Sequence, residues 1–341
     1  MGIREDIGPT VSRGKKTFIN PRPSKEFGIL DQLIILYRFM TATTRQIPSR
    51  PLPYVPVDLS HFTTDQANQL NTTWLGHSTL LIHLDGHRII TDPVLEKRIS
   101  LLGPTRFTHL PPLDSSRLTA IDLVLISHDH YDHLNKRSIQ ILDPVTRQFL
   151  VPLGVGKTLE SWGVAEEKIQ ELNWWDRFNL GQLHITATPA RHFSGRMPFN
   201  RNTSLWCSWA IKGPTHRVFF SGDSSYFSGF KTIGKKLGPF DITFMECGSY
   251  DPMWKDSHMF PEQSLEAHLD LGGRLLHPIH WGTFNLALHP WYEPMCRMAK
   301  AARVKEVPLA LPRPGETILP TQGKLGRPWW TSHPDLKSPP E

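Results

Sequence analysis

The stretch that decides the fold of this chain runs from residue 121 to residue 133. A nearly unbroken apolar segment is followed at once by three histidines and two aspartates: Ile121-Asp122-Leu123-Val124-Leu125-Ile126-Ser127, then His128-Asp129-His130-Tyr131-Asp132-His133. Clustered imidazoles and carboxylates bury poorly without a partner. They are also the ligands that Zn²⁺ and similar ions prefer. The sequence therefore predicts a metal site directly after a buried strand.

The histidine–aspartate motif, residues 128–133, is predicted to be a strand-to-helix loop. Residues 134–142 carry apolar side chains at helical spacing, and the motif lies at the carboxyl end of a strand, where open α/β layers place their sites. In extended backbone His128 and His130 point the same way. Asp132 and His133 lie one turn further on and can face a second ion. One short loop is thus expected to hold two metal ions.

Three further candidate ligands stand at the ends of other short apolar segments. His192 follows the strand-like residues 182–187, Asp223 ends the segment 218–223, and His280 ends the segment 275–280. Each of the three precedes a turn. The sequence therefore supplies the additional ligands that a dinuclear site needs.

These residues carry a resemblance to the metallo-β-lactamase superfamily. Within it, the chain resembles the N-acyl phosphatidylethanolamine phospholipase D group, as a bacterial-type relative, over about residues 18–310. The matching motifs lie at residues 73–78, 91–93, 127–134, 220–224, 238–241 and 280–284. The resemblance implies an α/β fold, the four-layer αβ/βα sandwich of that superfamily. Its short strands include a hairpin that we expect to turn through Asp85-Gly86 in a type I′ turn.

The resemblance also implies a ligand set for two zinc ions per chain, with iron or manganese left open. It assigns three ligands to the first ion, three to the second and one bridging carboxylate: His128, His130 and His192; Asp132, His133 and His280; and Asp223. Tyr131 and His258 fall where the group touches its phospholipid. Asp132 and His258 are the expected catalytic residues.

A mechanism can be drawn from that ligand set. Two zinc ions would share a hydroxide that attacks phosphorus, and His258 would donate a proton to a phosphate oxygen or to the leaving group. Arg196 is a candidate phosphate contact, with a plain surface arginine as the alternative. His77 is expected to make backbone or supporting hydrogen bonds. Asp92 is expected either to cap a turn or to orient a ligand imidazole.

The termini are expected to be extensions of one catalytic domain. We predict a basic arm with a short apolar helix and a proline-rich linker at 1–70, the catalytic domain at 71–320 and a surface tail at 321–341. Residues 1–50 hold nine Lys or Arg against four Asp or Glu, which is +5 of the net +6. Such an arm fits either a peripheral membrane surface or packing against the enzyme body or a second subunit, as in a homodimer. No motif for nucleic acid accompanies it.

The compartment expected from the sequence is cytoplasmic, with a peripheral location on the inner face of the membrane as an option. Three scattered cysteines imply no disulfide framework. The N-terminus lacks the apolar core of a signal peptide, and no segment is apolar for long enough to span a membrane.

The favoured function is a zinc-dependent phosphodiesterase of phospholipase D type. It would cleave N-acyl phosphatidylethanolamine or a related phospholipid to phosphatidic acid and a head-group alcohol. A metal-dependent hydrolase of a lactone or a soluble phosphodiester is the first alternative. A non-catalytic, membrane-associated scaffold is the second, although a structural zinc needs only four ligands.

Overall fold

The computed structural model of the chain describes residues 10–11, 17–20, 28–42, 44–63, 68–108, 118, 120–197 and 199–337. Parts of the basic arm, namely residues 1–9, 12–16, 21–27, 43 and 64–67, lie outside the described residues. Two short strands, β1 (Thr10–Val11) and β2 (Phe18–Ile19), pair ahead of helices α1 (Ile29–Thr41) and α2 (Ser60–Thr63). The apolar helix that we predicted in the arm is therefore α1.

The first large sheet has seven strands, in the order β15-β3-β4-β5-β6-β7-β8. The strands are β3 (Leu70–Trp74), β4 (Leu80–Leu84), β5 (His87–Thr91), β6 (Ile121–Leu125), β7 (Thr146–Pro152), β8 (Ile169–Leu172) and β15 (Thr317–Ile318). Strands β5 to β8 are parallel, whereas β15, β3, β4 and β5 pair antiparallel. The β4–β5 turn has positive φ at both Asp85 (50°) and Gly86 (84°), as the predicted type I′ turn requires.

The second sheet has six strands, in the order β14-β13-β12-β11-β10-β9. The strands are β9 (Arg177–Leu180), β10 (Leu183–Thr188), β11 (Ser208–Lys212), β12 (Arg217–Phe220), β13 (Phe240–Glu246) and β14 (Gly273–Ile279). Strands β9 to β12 pair antiparallel, and β12, β13 and β14 are parallel. The segments predicted from the apolar residues before His192, Asp223 and His280 are thus β10, β12 and β14.

The two sheets pack face to face, and helices cover their outer faces. Alternate residues of β6 face opposite ways: Leu123 joins the core shared with Ile185 and Trp209 of the second sheet, and Val124 joins the core under the helices. The outer helices are α3 (Lys136–Leu142), α4 (Gly156–Ser161), α5 (Gly229–Leu237), α6 (Pro261–Asp270) and α7 (Glu293–Val304). This arrangement confirms the predicted four-layer αβ/βα sandwich.

Residues 329–336 pack on the body, which corrects the expectation of a surface tail at 321–341 for that part of the segment; residues 321–328 are mostly exposed, and 338–341 lie outside the described residues. Trp329 and Trp330 belong to the main core, and Trp330 is only 1% exposed. After them comes the short helix α8 (Pro334–Lys337). Its Asp335 accepts hydrogen bonds from the indole of Trp291 (2.9 Å) and the backbone amide of Ser49 (3.1 Å). The proline and polar residues of this segment suggested a tail, but burial of the two indoles in the main core keeps it packed on the body.

In the part of the chain that the structure describes, no helix has the length and apolar character that a membrane span needs. The loops after β5, β6, β10, β12, β13 and β14 meet at one edge of the sandwich. Side chains from both sheets can therefore come together at that edge.

Candidate metal centre

The first group of candidate ligands consists of three histidines, one pair from the loop after β6 and one from the loop after β10. Nitrogen atoms of His128, His130 and His192 all lie within 4.8 Å of one another. The ring of His128 is oriented by Ser127, whose hydroxyl lies 2.8 Å from Nδ1. His192 is oriented through Nδ1, which donates to the carbonyl of Ser257 at 2.9 Å. A hydrogen bond to one ring nitrogen fixes the orientation and the tautomer of an imidazole, so that its other nitrogen can bind a metal.

The second group combines the end of the motif with the strand ends of β3 and β14. Atoms of His77, Asp132, His133 and His280 lie within 4.8 Å of one another. Oδ2 of Asp132 is 3.4 Å from Nε2 of both His133 and His280, and 2.8 Å from Nε2 of His77. His77 therefore supports Asp132 by a hydrogen bond, in line with the supporting role expected for it.

Asp223 lies between the two groups. One carboxylate oxygen, Oδ2, is 3.1 Å from Nε2 of His133 and 3.7 Å from Nε2 of His192. The other, Oδ1, is 3.2 Å from Nε2 of His280. A carboxylate that faces both clusters has the position that a bridging ligand requires. The structure thus brings all seven predicted ligands together, and their assignment to individual ions stays a prediction.

Buried polar atoms in this cluster fit a bound cation. Among the described residues, Nε2 of His133, Oδ1 of Asp223 and both ring nitrogens of His280 are buried, and none of them makes a well-aligned hydrogen bond, although carboxylate oxygens lie 3.1–3.4 Å from the two Nε2 atoms. An unsatisfied buried donor or acceptor is costly, and native proteins rarely leave one. The donor set of imidazoles and carboxylates suits zinc, iron or manganese. The residues present therefore fit a metal centre.

The local electrostatics keep several ligands in the form that binds a metal. Burial lowers the pKa values of His128 and His192 well below the ordinary value, so both imidazoles are neutral. Burial alone would raise the pKa of Asp223, but the neighbouring His133 and His280 outweigh it and hold that pKa well below normal. His280 is the exception: although it is buried, Asp223 raises its pKa to about 10, so the imidazole is protonated and would release that proton on binding a metal.

Asp92 orients one ligand directly. Its Oδ2 lies 2.7 Å from Nδ1 of His133 and accepts from the hydroxyl of Ser127 at 2.6 Å, and Oδ1 accepts from the amide of Ser127. Of the two interpretations that the sequence left open, the structure supports the carboxylate that holds an imidazole. The turn at Asp92 has a φ of 34°, a left-handed value that is uncommon for a residue other than glycine.

Two further strained positions lie at the same edge. His77 and His280 have φ values of 55° and 63°, and the amide of His280 donates to the carbonyl of His77 at 3.0 Å. At Gly222 a Cβ would lie 2.4 Å from Cβ of Ser127, so only glycine allows the Asp223 turn to approach the loop of the other sheet. Strained backbone of this kind clusters at functional sites.

His258 lies beside the candidate ligands, with Nδ1 3.9 Å from Oδ2 of Asp223, and it has a buried acidic partner that sequence reasoning missed. Its Nδ1 is hydrogen-bonded to Oε2 of Glu246 at 2.9 Å, and Oε1 of Glu246 also accepts from the amides of Ser224 and Met259. Burial raises the pKa of Glu246. The position of Glu246 could have indicated its role: it is the last residue of an apolar strand, and Asp223 and His280 likewise follow apolar strands.

The other predicted substrate residues lie elsewhere. The Tyr131 ring packs 3.9 Å under the guanidinium of Arg196 and lines a groove beside the metal ligands. Nη1 of Arg196 donates to the carbonyls of Asp129 (2.8 Å) and Leu134 (2.7 Å). Arg196 thus organises the motif loop. This placement supports neither of the two alternatives for Arg196, a phosphate contact at the metals or a plain surface arginine. Its guanidinium instead donates to the carbonyls of the motif loop.

Four of the seven candidate ligands line a cavity of about 330 Å³. His130, Asp132, Asp223, His258 and His280 line it together with a set of apolar side chains: Ile35, Phe39, Phe193, Trp254 and Leu286. Ile35 and Phe39 come from α1, four residues apart and therefore on one face of that helix. An ion pair between Arg38 and Asp251 (3.2 Å) fastens the same face to the loop after β13.

Comparison with known proteins agrees with this geometry. A family model described as a beta-lactamase superfamily domain matches residues 87–281. The chain belongs to the metallo-β-lactamase superfamily and is one of its metal-dependent hydrolases. Within that superfamily it is a relative of the N-acyl-phosphatidylethanolamine-hydrolysing phospholipases D. It is 31% identical over 318 residues to phospholipase D 1 of this kind from Caenorhabditis elegans, which covers 86% of this chain and 88% of the worm protein.

Two other similarities bear on the extent of the fold. An uncharacterized protein of Mycobacterium tuberculosis is 43% identical over 320 residues, which cover 92% of this chain and 85% of that protein. The solved structure of a metallo hydrolase from the archaeon Ignicoccus hospitalis matches with a TM-score of 0.56 at 23% identity, over 74% of this chain and 98% of the archaeal chain. At that identity the structural match shows the fold alone.

Proposed function

We propose that this protein is a phosphodiesterase of phospholipase D type that uses two zinc ions. It would hydrolyse N-acyl phosphatidylethanolamine or a related phospholipid to phosphatidic acid and a head-group alcohol. The observation that carries the proposal is that candidate metal ligands and apolar side chains line the same cavity, and Ile35 and Phe39 are two of these apolar side chains. Support comes from the relationship to the worm enzyme, whose name gives that substrate.

The chain's own residues provide the remaining chemistry. Bound metal would supply Lewis acidity, which activates water and neutralises phosphate oxygens. His258 is the candidate proton donor, because Glu246 engages Nδ1 at 2.9 Å and leaves Nε2 for the cavity that His258 lines. Asp132 is kept ionised, since His133 and His280 outweigh the effect of burial and lower its pKa. It therefore contributes negative charge to the second cluster.

The apolar walls indicate the substrate class. Acyl chains need an apolar surface, and α1 offers one on its inner face through Ile35 and Phe39. Its outer face is apolar as well: Leu30, Leu33, Tyr37 and Met40 are all more than half exposed, from 57% to 74%. An apolar helix face beside a catalytic cavity suits a peripheral membrane position on the cytoplasmic side. A homodimer through α1 is the competing explanation.

The test is a substrate panel with metal-quantified protein. Pure enzyme carrying two equivalents of zinc should release phosphatidic acid and N-acyl ethanolamine from N-acyl phosphatidylethanolamine vesicles. It should act far more slowly on a lactone and on bis(p-nitrophenyl) phosphate. Light scattering of the same sample reports whether the protein is a monomer or a dimer.

Matched variants separate metal chemistry from general damage. His280→Ala removes a proposed ligand and should abolish most activity and metal content. His184→Ala changes a histidine in β10 that lies in neither candidate ligand group, and it should leave both unchanged. Lysophospholipid and free fatty acid as products would mean attack at an ester carbonyl and would refute the phosphodiesterase assignment. Turnover of the lactone alone would favour the other class of hydrolase.

A further inference from the structure

A second cavity lies beside the motif and contains none of the seven proposed ligands. It measures about 730 Å³. Tyr131 lines this second cavity, whereas its neighbours in the chain, His130 and Asp132, line the metal cavity. Its other walls come from the loop after β5 and the start of α3, at residues 96–101 and 135–137, and from Trp162 and Arg196. We call it the basic groove.

The charge of the basic groove is strongly positive. Five cations line it against one carboxylate, that of Glu96: Lys97, Arg98, Lys136, Arg137 and Arg196. Arg98 donates to the carbonyl of Gly103 at 3.1 Å, and Arg196 is held between the rings of Tyr131 and Trp162.

The remaining three cations, on Lys97, Lys136 and Arg137, are exposed and form no salt bridge with any residue that the structure describes. Three unpaired positive charges on one groove favour an anionic partner.

The edge of the basic groove carries two leucines that the fold leaves in water. Leu101 and Leu102 are 91% and 94% exposed. They are the central residues of a turn closed by the amide of Gly103 donating to the carbonyl of Ser100 at 3.2 Å. A bridge between Arg98 and Thr105 holds the base of the turn. The turn therefore presents two apolar side chains on a fixed support.

We propose that the basic groove and the Leu101–Leu102 turn form a docking surface for an anionic phospholipid bilayer. The leucines enter the acyl region while Lys97, Lys136 and Arg137 contact lipid phosphates. A soluble phosphate ester would satisfy the cations but leave the leucines exposed, so the bilayer accounts for both observations. The inference rests on the proposed function in one respect: such a surface would hold the metal cavity against the lipid that the enzyme cleaves.

The test measures vesicle binding by the full-length, metal-loaded protein. Cosedimentation compares phosphatidylcholine vesicles with vesicles containing phosphatidylglycerol, at low and at 0.5 M salt. Two variants probe the surface: Leu101→Ser/Leu102→Ser, and Lys97→Gln/Lys136→Gln/Arg137→Gln. Each should lower the partition coefficient for anionic vesicles at least tenfold, and the charge variant should also lose most of the salt dependence, since cations near an anionic bilayer are screened by salt.

The control variants alter exposed residues at the C-terminal end of α7 and directly after it, which line neither cavity: Val304→Ser, and Lys300→Gln/Arg303→Gln/Lys305→Gln. These should change vesicle binding by less than twofold. If the two groove variants bind anionic vesicles as tightly as the unaltered protein, the docking surface is refuted and α1 or the N-terminal arm carries any membrane affinity.

A calorimetric titration with glycerol 3-phosphate distinguishes a soluble ligand from a lipid. Heat of binding that the charge variant abolishes, together with unchanged vesicle binding, would make the groove a soluble phosphate site and overturn the bilayer proposal. The outcomes are also separable from those of the proposed function. Absent phospholipase activity with the expected loss of vesicle binding contradicts only the function, and activity with unchanged vesicle binding contradicts only the docking surface.

Discussion

The Asp92 carboxylate holds two parts of the candidate metal centre at once. It fixes the His133 ring through Nδ1 (2.7 Å) and the backbone of Ser127 just ahead of the motif (2.7 Å). Because Asp92 itself is fully buried, neither contact has water as a substitute. A ligand histidine without such a partner can rotate and loses basicity.

We expect Asp92→Asn to weaken metal binding about 10- to 100-fold, which is the usual effect of removing the carboxylate behind a ligand imidazole. Asparagine tolerates the left-handed backbone at this position, so the turn is preserved. Competition with a chelator, followed by metal analysis, measures the affinity. Glu160→Gln, an exposed carboxylate on α4, serves as the control. Equal metal affinity in Asp92→Asn and the unaltered protein would show that His133 needs no such support.

At the level of single residues, the sequence predicted the seven candidate ligands and offered His77 and Asp92 as supports, but it did not predict Glu246 or which ligand each support would hold. Four of the ligands are nearly contiguous in the motif, and the other three stand at the ends of apolar segments, so the local pattern made them candidates and the family resemblance assigned them as one set. Glu246 and the bond from His77 to Asp132 depend on which strands become neighbours. The spacing of residues along a single sequence does not show which strands will be neighbours in the sheets.

Helix α1 was predicted from its apolar run, but its relation to the site was not. The apolar and basic character of the arm left membrane binding and packing as alternatives for this helix. The structure shows that one face does pack, since Ile35 and Phe39 wall the metal cavity and Arg38 pairs with Asp251. The opposite face is exposed. The helix is therefore part of the cavity as well as part of the surface.

We expect Phe39→Ala to reduce kcat/KM for a long-chain phospholipid roughly tenfold, because a lost apolar contact of this size costs about 1.5 kcal/mol. Turnover of bis(p-nitrophenyl) phosphate should hardly change, since it has no acyl chain to contact the helix. The control is Val304→Ala, an exposed apolar position on α7 that lines neither cavity and lies outside the exposed face of α1. Steady-state kinetics with both substrates decide the matter. Equal losses for both substrates would mean that Phe39 acts through folding rather than through substrate contact.

On the scale of the whole molecule, residues 45–49 and the C-terminal segment meet at one place on the body. Asp335 joins them, since it accepts from Ser49 and pairs with Arg45 (3.2 Å) as well as with Trp291 in the core. Stacking of Trp281 on Trp329, with centroids 5.2 Å apart, extends the contact. The signal in the sequence was the pair Trp329-Trp330, which polar and proline-rich surroundings obscured.

We expect Asp335→Ala to lower the free energy of unfolding by about 1–3 kcal/mol, because it leaves the buried donor of Trp291 without a partner. Urea unfolding followed by tryptophan fluorescence measures the loss. Lys324→Ala, an exposed position in the same C-terminal segment, should stay within about 0.5 kcal/mol of the unaltered protein. A similarly small change for Asp335→Ala would mean that the contact with residues 45–49 contributes little to stability.

The division of the candidate ligands between the two sheets has a consequence for biosynthesis. His128, His130, Asp132 and His133 follow β6 of the first sheet, whereas His192, Asp223 and His280 follow strands of the second. A ribosome that has released residues 1–181 has therefore delivered four of the seven, and the last appears only after β14. Full loading has to wait until nearly the whole polypeptide has emerged, so metal capture and completion of folding are one late event.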